Sequence, residues 1–162
     1  MSDLAMIDST YLAAYILAKV RDVKHLKLQK LLYYIQAWHL AFFEQPLIED
    51  EFEAWVHGPV SMKVWMQYRD RSKLYATIPV NQQECDEAVK VVASVLAKEQ
   101  IELIADVLEE YGDKTAYYLE CLTHSEEPWR HARGDLSDGD RSARVISMQS
   151  MQDFYQSRVA TS

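Results

Sequence analysis

A single, compact, mainly α-helical domain of many helices is the fold class this chain predicts, and three features predict it. Glycine and proline are sparse, four of each in 162 residues, so the chain lacks the frequent breaks of a many-turned β fold. Apolar residues recur at three- and four-residue spacing through most of the sequence, which is the period of an amphipathic helix. A hydrophobic content of 49% with 26% charged residues suits one globular domain with a full core. With no internal repeat and no low-complexity linker, residues 1–162 read as one unit.

The first helix is expected over Ser9–Lys19, with Asp8 or Ser9 as N-cap and Leu12, Tyr15, Ile16 and Val20 on one face. The second spans Lys27–Phe43. Its Leu28, Leu31, Leu32, Ile35, Trp38 and Phe42 follow the spacing of a buried stripe. Tyr33, Tyr34, Ala37, Leu40 and Ala41 make most of the remaining circumference apolar, leaving a strip through Lys27, Lys30 and Glu44 to water. A helix apolar nearly all round is buried on most sides, which puts this one at the centre of the fold. Pro46 ends it.

Leu47, Ile48, Phe52, Ala54 and Val56 then predict a short β-hairpin near residues 47–56, turning through Glu49-Asp50-Glu51. His57-Gly58-Pro59 is a break, and Pro59 is placed to start a helix that runs to Arg69 with Val60, Val64, Trp65 and Tyr68. Asn81 caps a helix over Gln83–Ala97 with Ala88, Val91, Val92 and Val95 inward. The next stripe, Ile101, Ile104, Ala105 and Leu108, is offset by about half a turn, which predicts a break near Lys98. Tyr111-Gly112-Asp113 supplies a glycine C-cap and a fresh N-cap for a helix over Lys114–Thr123. Ser125 caps a short helix, Glu126–Ala132, with Pro128 in its first turn. Gly134–Arg144 reads as a polar surface loop. Ser147 caps a last helix, Met148–Gln156, with Met148, Met151 and Phe154 or Tyr155 inward.

Charge narrows the partners. A formal net charge of −8 repels phosphate backbones, and the densest basic stretches, Lys19–Lys30 and Arg130–Arg144, are too modest to overcome it. Nucleic acid is therefore disfavoured, whereas encounter with a basic protein is favoured. No stretch approaches the ~18 consecutive apolar residues of a membrane span. Cys85 and Cys121 have no paired spacing, and MSDLAMIDST has no signal-peptide pattern, so reduced thiols and a cytoplasmic location are expected. Ten tyrosines and four tryptophans fill the core first, with the remainder available to an interface.

Catalytic signatures are lacking. The sequence contains no Gly-rich phosphate loop, GxSxG, CxxC or HExxH, so no enzyme activity and no cofactor are expected. His124, Glu126, Glu127 and His131 invite a metal reading, but Pro128 and the Ser125 cap bend the chain between the histidines, and no third ligand has diagnostic spacing. The simpler expectation is that His124 bonds a helix end while Trp129 packs on the core, with no metal bound. His57 reads three ways: an acid or base in a cleft, a group that satisfies loop backbone, or the border of a groove holding a partner segment. His39 predicts a hydrogen-bonded core histidine, and Cys121 a buried thiol. Glu49, Asp50, Glu51 and Glu53 form either a solvated edge or a docking rim for a basic partner.

Three separated blocks are more distinctive. Lys27-Leu28-Gln29-Lys30-Leu31-Leu32-Tyr33-Tyr34 is followed by Glu53-Ala54-Trp55-Val56-His57-Gly58-Pro59-Val60, then, past Tyr111-Gly112, by Thr123-His124 with Glu127-Pro128-Trp129 close behind. In this order, over roughly Leu26 to Tyr155, they resemble the Panacea domain, the SocA-like domain of bacterial and phage antitoxins. The resemblance implies an antitoxin that neutralises a cognate, co-encoded toxin protein by direct binding. The domain accompanies many unrelated toxins, so the resemblance names no particular one. Some members resemble adaptors that deliver the toxin to a protease, and others accompany prophage-like elements. A proteolytic adaptor or a regulatory binding protein of a phage element is thus the alternative, with a metal-dependent hydrolase as a third reading. No N-terminal DNA-binding domain is evident, so an autoregulatory role is not implied. The partner-contact candidates are His57, Gly58, Pro59, His124, Glu127 and Trp129.

Overall fold

The nearly continuous apolar surface of residues 25–43 is satisfied by burying that helix on most sides, and the rest of the chain wraps around it. The computed structural model describes residues 3–160. Along them run α1 (Ser9–Lys19), α2 (His25–Phe43), β1 (Phe52–Trp55), β2 (Gly58–Ser61), α3 (Met62–Tyr68), α4 (Gln82–Val95), α5 (Lys98–Tyr111), α6 (Ala116–Ser125), α7 (Glu127–Arg133), β3 (Val145–Ile146) and α8 (Met148–Ala160). The fold is mainly α, as the periodicity predicts. Helix α2 is the axis: α8, α5, α6, α1 and β2 all pack on it, while α4 packs on α1.

Helix α1 has the expected bounds. Asp8 is its N-cap, accepting from Thr10 N at 2.8 Å and from Thr10 Oγ1 at 2.7 Å, and Lys63 Nζ donates to its other oxygen at 2.8 Å. Burial pulls this carboxyl upward, but the bonds from Lys63 and Thr10 outweigh it and hold the group at about 2. The stabilisation is therefore present above the ordinary carboxylate range and fades as pH falls from about 4 towards about 2. Asp8→Ala is expected to cost about 1 kcal/mol, the usual worth of such a cap, read as a lowered midpoint of urea unfolding at pH 7.

Helix α2 buries Leu28, Leu31, Leu32 and Ile35 completely, and Trp38 packs at the core margin with its Nε1 donating to Tyr111 Oη at 2.9 Å. Two expectations fail here. Phe42 is 55% exposed: it sits on the outer side of a last turn whose Leu40 and Ala41 are buried, and its ring leans on Trp38. Lys30, assigned to the wet strip, is 0% exposed; strand β2 lies over it. His39 is the satisfied core histidine expected, bonded through Nδ1 to Gln45 O at 2.5 Å and through Nε2 to Gln100 Nε2 at 3.1 Å.

The hairpin is displaced from its expected place. It pairs Phe52–Trp55 with Gly58–Ser61 in antiparallel register, Trp55 opposite Gly58, and turns through Val56-His57 rather than through Glu49–Glu51. Leu47 and Ile48 are buried without being strand. Their backbone is paired instead by Gln36, whose Oε1 accepts from Leu47 N and Ile48 N at 2.9 and 3.1 Å and whose Nε2 donates to Ile48 O at 2.9 Å. Pro59 lies in edge strand β2, where it withholds no ladder donor. It does not start a helix; Ser61 caps α3, with Oγ accepting from Val64 N. The two-residue strand β3 joins the other side of β1, in the order β2-β1-β3.

Downstream, Asn81 caps α4 as expected, but the helix stops at Val95, which is 43% exposed; the break falls at Leu96-Ala97, and Ala105 also faces solvent. Gln100 Oε1 accepts from Ala97 N at 2.9 Å and closes the start of α5. Gly112 ends α5, but Asp113 does not cap the next helix. Thr115 does, accepting from Tyr118 N at 3.0 Å. Ser125 is not the cap of α7 either: its hydroxyl donates back to Leu122 O at 2.7 Å within α6. Cys121 is exposed rather than buried, Cys85 is buried, and both are free thiols. Ser147 caps α8 as expected, accepting from Ser150 N at 3.0 Å, and Met151 and Tyr155 are buried. Among the described residues, no helix is long and apolar enough to cross a membrane.

Candidate functional site

The separated sequence blocks meet at one corner of the molecule, the turn between β1 and β2. From beneath, two consecutive residues of α2 hold β2. Gln29 Oε1 accepts from Ser61 N at 2.9 Å, and Lys30 Nζ donates to Pro59 O at 2.7 Å. Gly58 makes that approach workable. Its φ is +104°, and a Cβ there would lie 2.5 Å from Lys30 Cε and 2.8 Å from Thr123 Oγ1. Only glycine adopts this backbone freely and leaves room for the lysine stem and the α6 hydroxyl together.

From the side, α6 and α7 clamp the turn. Trp129 Nε1 donates to Trp55 O at 2.8 Å, and the Arg133 guanidinium donates to Ala54 O at 2.9 Å. His124 lies against the Val56 backbone, and its ring stacks on Trp129 at 4.1 Å. Above the clamp, His57 Nδ1 donates to Glu120 Oε1 at 2.5 Å, and the Tyr75 hydroxyl lies 3.2 Å from both ring nitrogens. The His57 side chain is 40% exposed against 13% for Glu120. What reaches solvent is a histidine held by an acid from behind and flanked by the exposed ring of Tyr75.

Electrostatics beneath the corner is set by burial. Desolvation brings the Lys30 ammonium down to about 7, opposed by the nearby Glu120 carboxylate. The same cause pushes His124 below the ordinary histidine value, again opposed by Glu120, and pushes His25 down despite its bond to Ser72 O. Glu120 is thus shared by Lys30, His124 and the hydrogen-bonded His57, while His25 feels Lys30 instead. The Lys30 amine has no exposed surface, so it acts on the strand above it and not on molecules in solution.

Five of the six contact candidates, His57, Gly58, Pro59, His124 and Trp129, come together here. Glu127 does not touch the turn: it is exposed and lines the adjoining polar cleft, which it shares with His124, Trp129, Arg130 and His131. Among the described residues, no three His, Cys, Asp or Glu side chains converge in a way that could hold a metal ion. Sequence reasoning missed Lys30, Tyr75, Glu120 and Thr123. A signal for Lys30 existed, since Leu26 and Tyr34, four residues to either side on the same face, are both apolar. Tyr75 and Glu120 belong to the site only through folding, 18 and 63 residues from His57.

A family model described as antitoxin SocA-like, Panacea domain, matches residues 28–130. That span is well over half of the chain and contains Lys30, the β1–β2 turn, Glu120, Thr123 and Trp129. No curated protein and no solved structure matches the chain.

Proposed function

The chain belongs to the SocA-like antitoxin family of Panacea domains, and from that premise we propose that it neutralises a co-encoded toxin protein by binding it directly, without catalysis, through the surface around His57. The observation that carries this reading is the convergence of the motif blocks: Lys30, Gly58 and Thr123 meet in one buried contact that fixes the position of the corner above it. A motif that served the core alone would have no need of a buried lysine, whose amino group is expensive to desolvate. Spent on fixing a half-exposed turn, it presents His57, Trp55 and Tyr75 in one geometry. Preorganised tyrosine and tryptophan side chains are what protein interfaces use for anchoring.

The acidic net charge of −8 supports a partner with a basic surface, since complementary charge accelerates encounter. The test is expression of the adjacent open reading frame in a heterologous host. We expect it to arrest growth alone and to be tolerated when this chain is co-expressed, with the two proteins co-purifying and the toxin level unchanged. A toxin level that collapses on co-expression would instead support delivery to a protease. An adjacent product that is harmless alone would reject the antitoxin reading.

A further inference from the structure

Beside His57, the face formed by β1 and α3 opens into a groove of about 820 Å³. The β1 and α3 side of its lining is aromatic, and Gly139 and residues 141–143 complete it. Trp55 and Trp65, both half-buried, meet with ring centroids 5.5 Å apart and planes 69° from parallel, and Met62 and His57 continue the wall. Indole surface of this size left open on a cleft marks a binding face.

Charge at the rim says what it binds. Glu53 Oε1 accepts from Trp55 Nε1 at 3.0 Å, which fixes the carboxylate against the indole, and its second oxygen carries no hydrogen bond among the described residues. Glu120 adds negative charge behind His57. Arg141 also lines the groove; it is exposed and forms no ion pair among the described residues. Aromatic faces attract cations through their quadrupole. A purely apolar occupant would strip water from Glu53 without replacing it.

We propose that this groove is an interaction surface that receives a basic side chain, arginine or lysine, presented by a segment of the partner protein. The inference rests on the antitoxin reading for what the partner is, but not for the chemistry of the groove. It is tested by titrating the protein with acetyl-Gly-Arg-Gly-amide, up to the solubility of the peptide, while following the four indole N–H resonances, assigned through single Trp→Phe variants. The Trp55 and Trp65 signals are expected to shift saturably. Those of Trp38 and Trp129, bonded to Tyr111 Oη and Trp55 O, are expected to stay. The same peptide with citrulline in place of arginine keeps the shape and loses the charge, and it is expected to bind about tenfold more weakly. Glu53→Gln is expected to weaken the arginine peptide several-fold while leaving the melting temperature unchanged.

Equal binding of the citrulline peptide, or no shift at either tryptophan, overturns the proposal. So does binding that appears only in Arg141→Ala, which would mean that the chain's own arginine fills the groove. None of these outcomes involves a toxin. A failed growth assay beside a positive titration therefore rejects the antitoxin reading alone.

Discussion

Gly58→Ala is expected to lower stability by about 4 kcal/mol, combining about 1–3 kcal/mol for a non-glycine residue in an unfavourable backbone region with about 1–3 kcal/mol for overpacking. Both parts have structural grounds. The φ of +104° is one that L side chains rarely adopt, and the new methyl would meet Lys30 Cε at 2.5 Å and Thr123 Oγ1 at 2.8 Å. Neither neighbour can step aside cheaply, because Lys30 Nζ is tied to Pro59 O and Thr123 Oγ1 donates to Glu120 O at 2.8 Å. For a domain of this size the melting temperature should fall by roughly 10 °C. Scanning calorimetry reads this directly. A loss below about 1 kcal/mol would show that the turn relaxes and that the close approach of Lys30 is not a constraint.

The second large effect is in the pH dependence of stability. Lys30 titrates at about 7 in the folded protein, because burial disfavours its charge, and near 10.4 in the unfolded chain. Between those values the unfolded state holds the proton that the folded state has shed, so stability rises with pH across this window. Measured from pH 7.5 to 9.5, the wild type should gain on the order of 2–3 kcal/mol relative to Lys30→Met. Methionine fills a similar volume without a titrating group. Comparing the two proteins removes the contributions of Cys85 and the buried tyrosines, whose thiol and hydroxyls are pushed upward by burial in both. Urea titrations at each pH provide the measurement, and parallel profiles would mean that water or a structural shift solvates the ammonium.

Where backbone hydrogen bonding is local, the fold was legible. The bounds of α1, the central place of α2, the Asn81 and Ser147 caps and the inward Met151 and Tyr155 all follow from residue types within one or two helical turns. What escaped depended on distant partners. Nothing near Leu47 and Ile48 reveals that Gln36 will pair their backbone, so an apolar run read as strand is instead an irregular buried segment, and the turn moved to Val56-His57. Lys30 escaped for a related reason. A lysine reads as solvated by type, and only the strand folded over it, with glycine at position 58 and the Pro59 carbonyl, makes burial tolerable. Cys121 failed in the opposite direction. Its apolar neighbours suggested a core thiol, yet that face of α6 has no element packed over it. The candidate corner was recognisable from His57-Gly58-Pro59 and His124, while its acid, Glu120, and its flanking Tyr75 lie in segments without any motif.

Neutralisation by a His57→Ala variant tests the central claim most directly. The side chain is 40% exposed and belongs to a turn held by Lys30, Gln29, Trp129 and Arg133, so its loss should leave the circular dichroism spectrum helical and the melting temperature within a few degrees of wild type. Co-expressed with the toxin from the adjacent gene, the folded variant is expected to lose growth protection and to co-purify with the toxin far less than the wild type does. A variant that stays folded, protects fully and retains the toxin at wild-type yield would contradict the account, and the His57-Gly58-Pro59 corner would then be a feature of the fold alone.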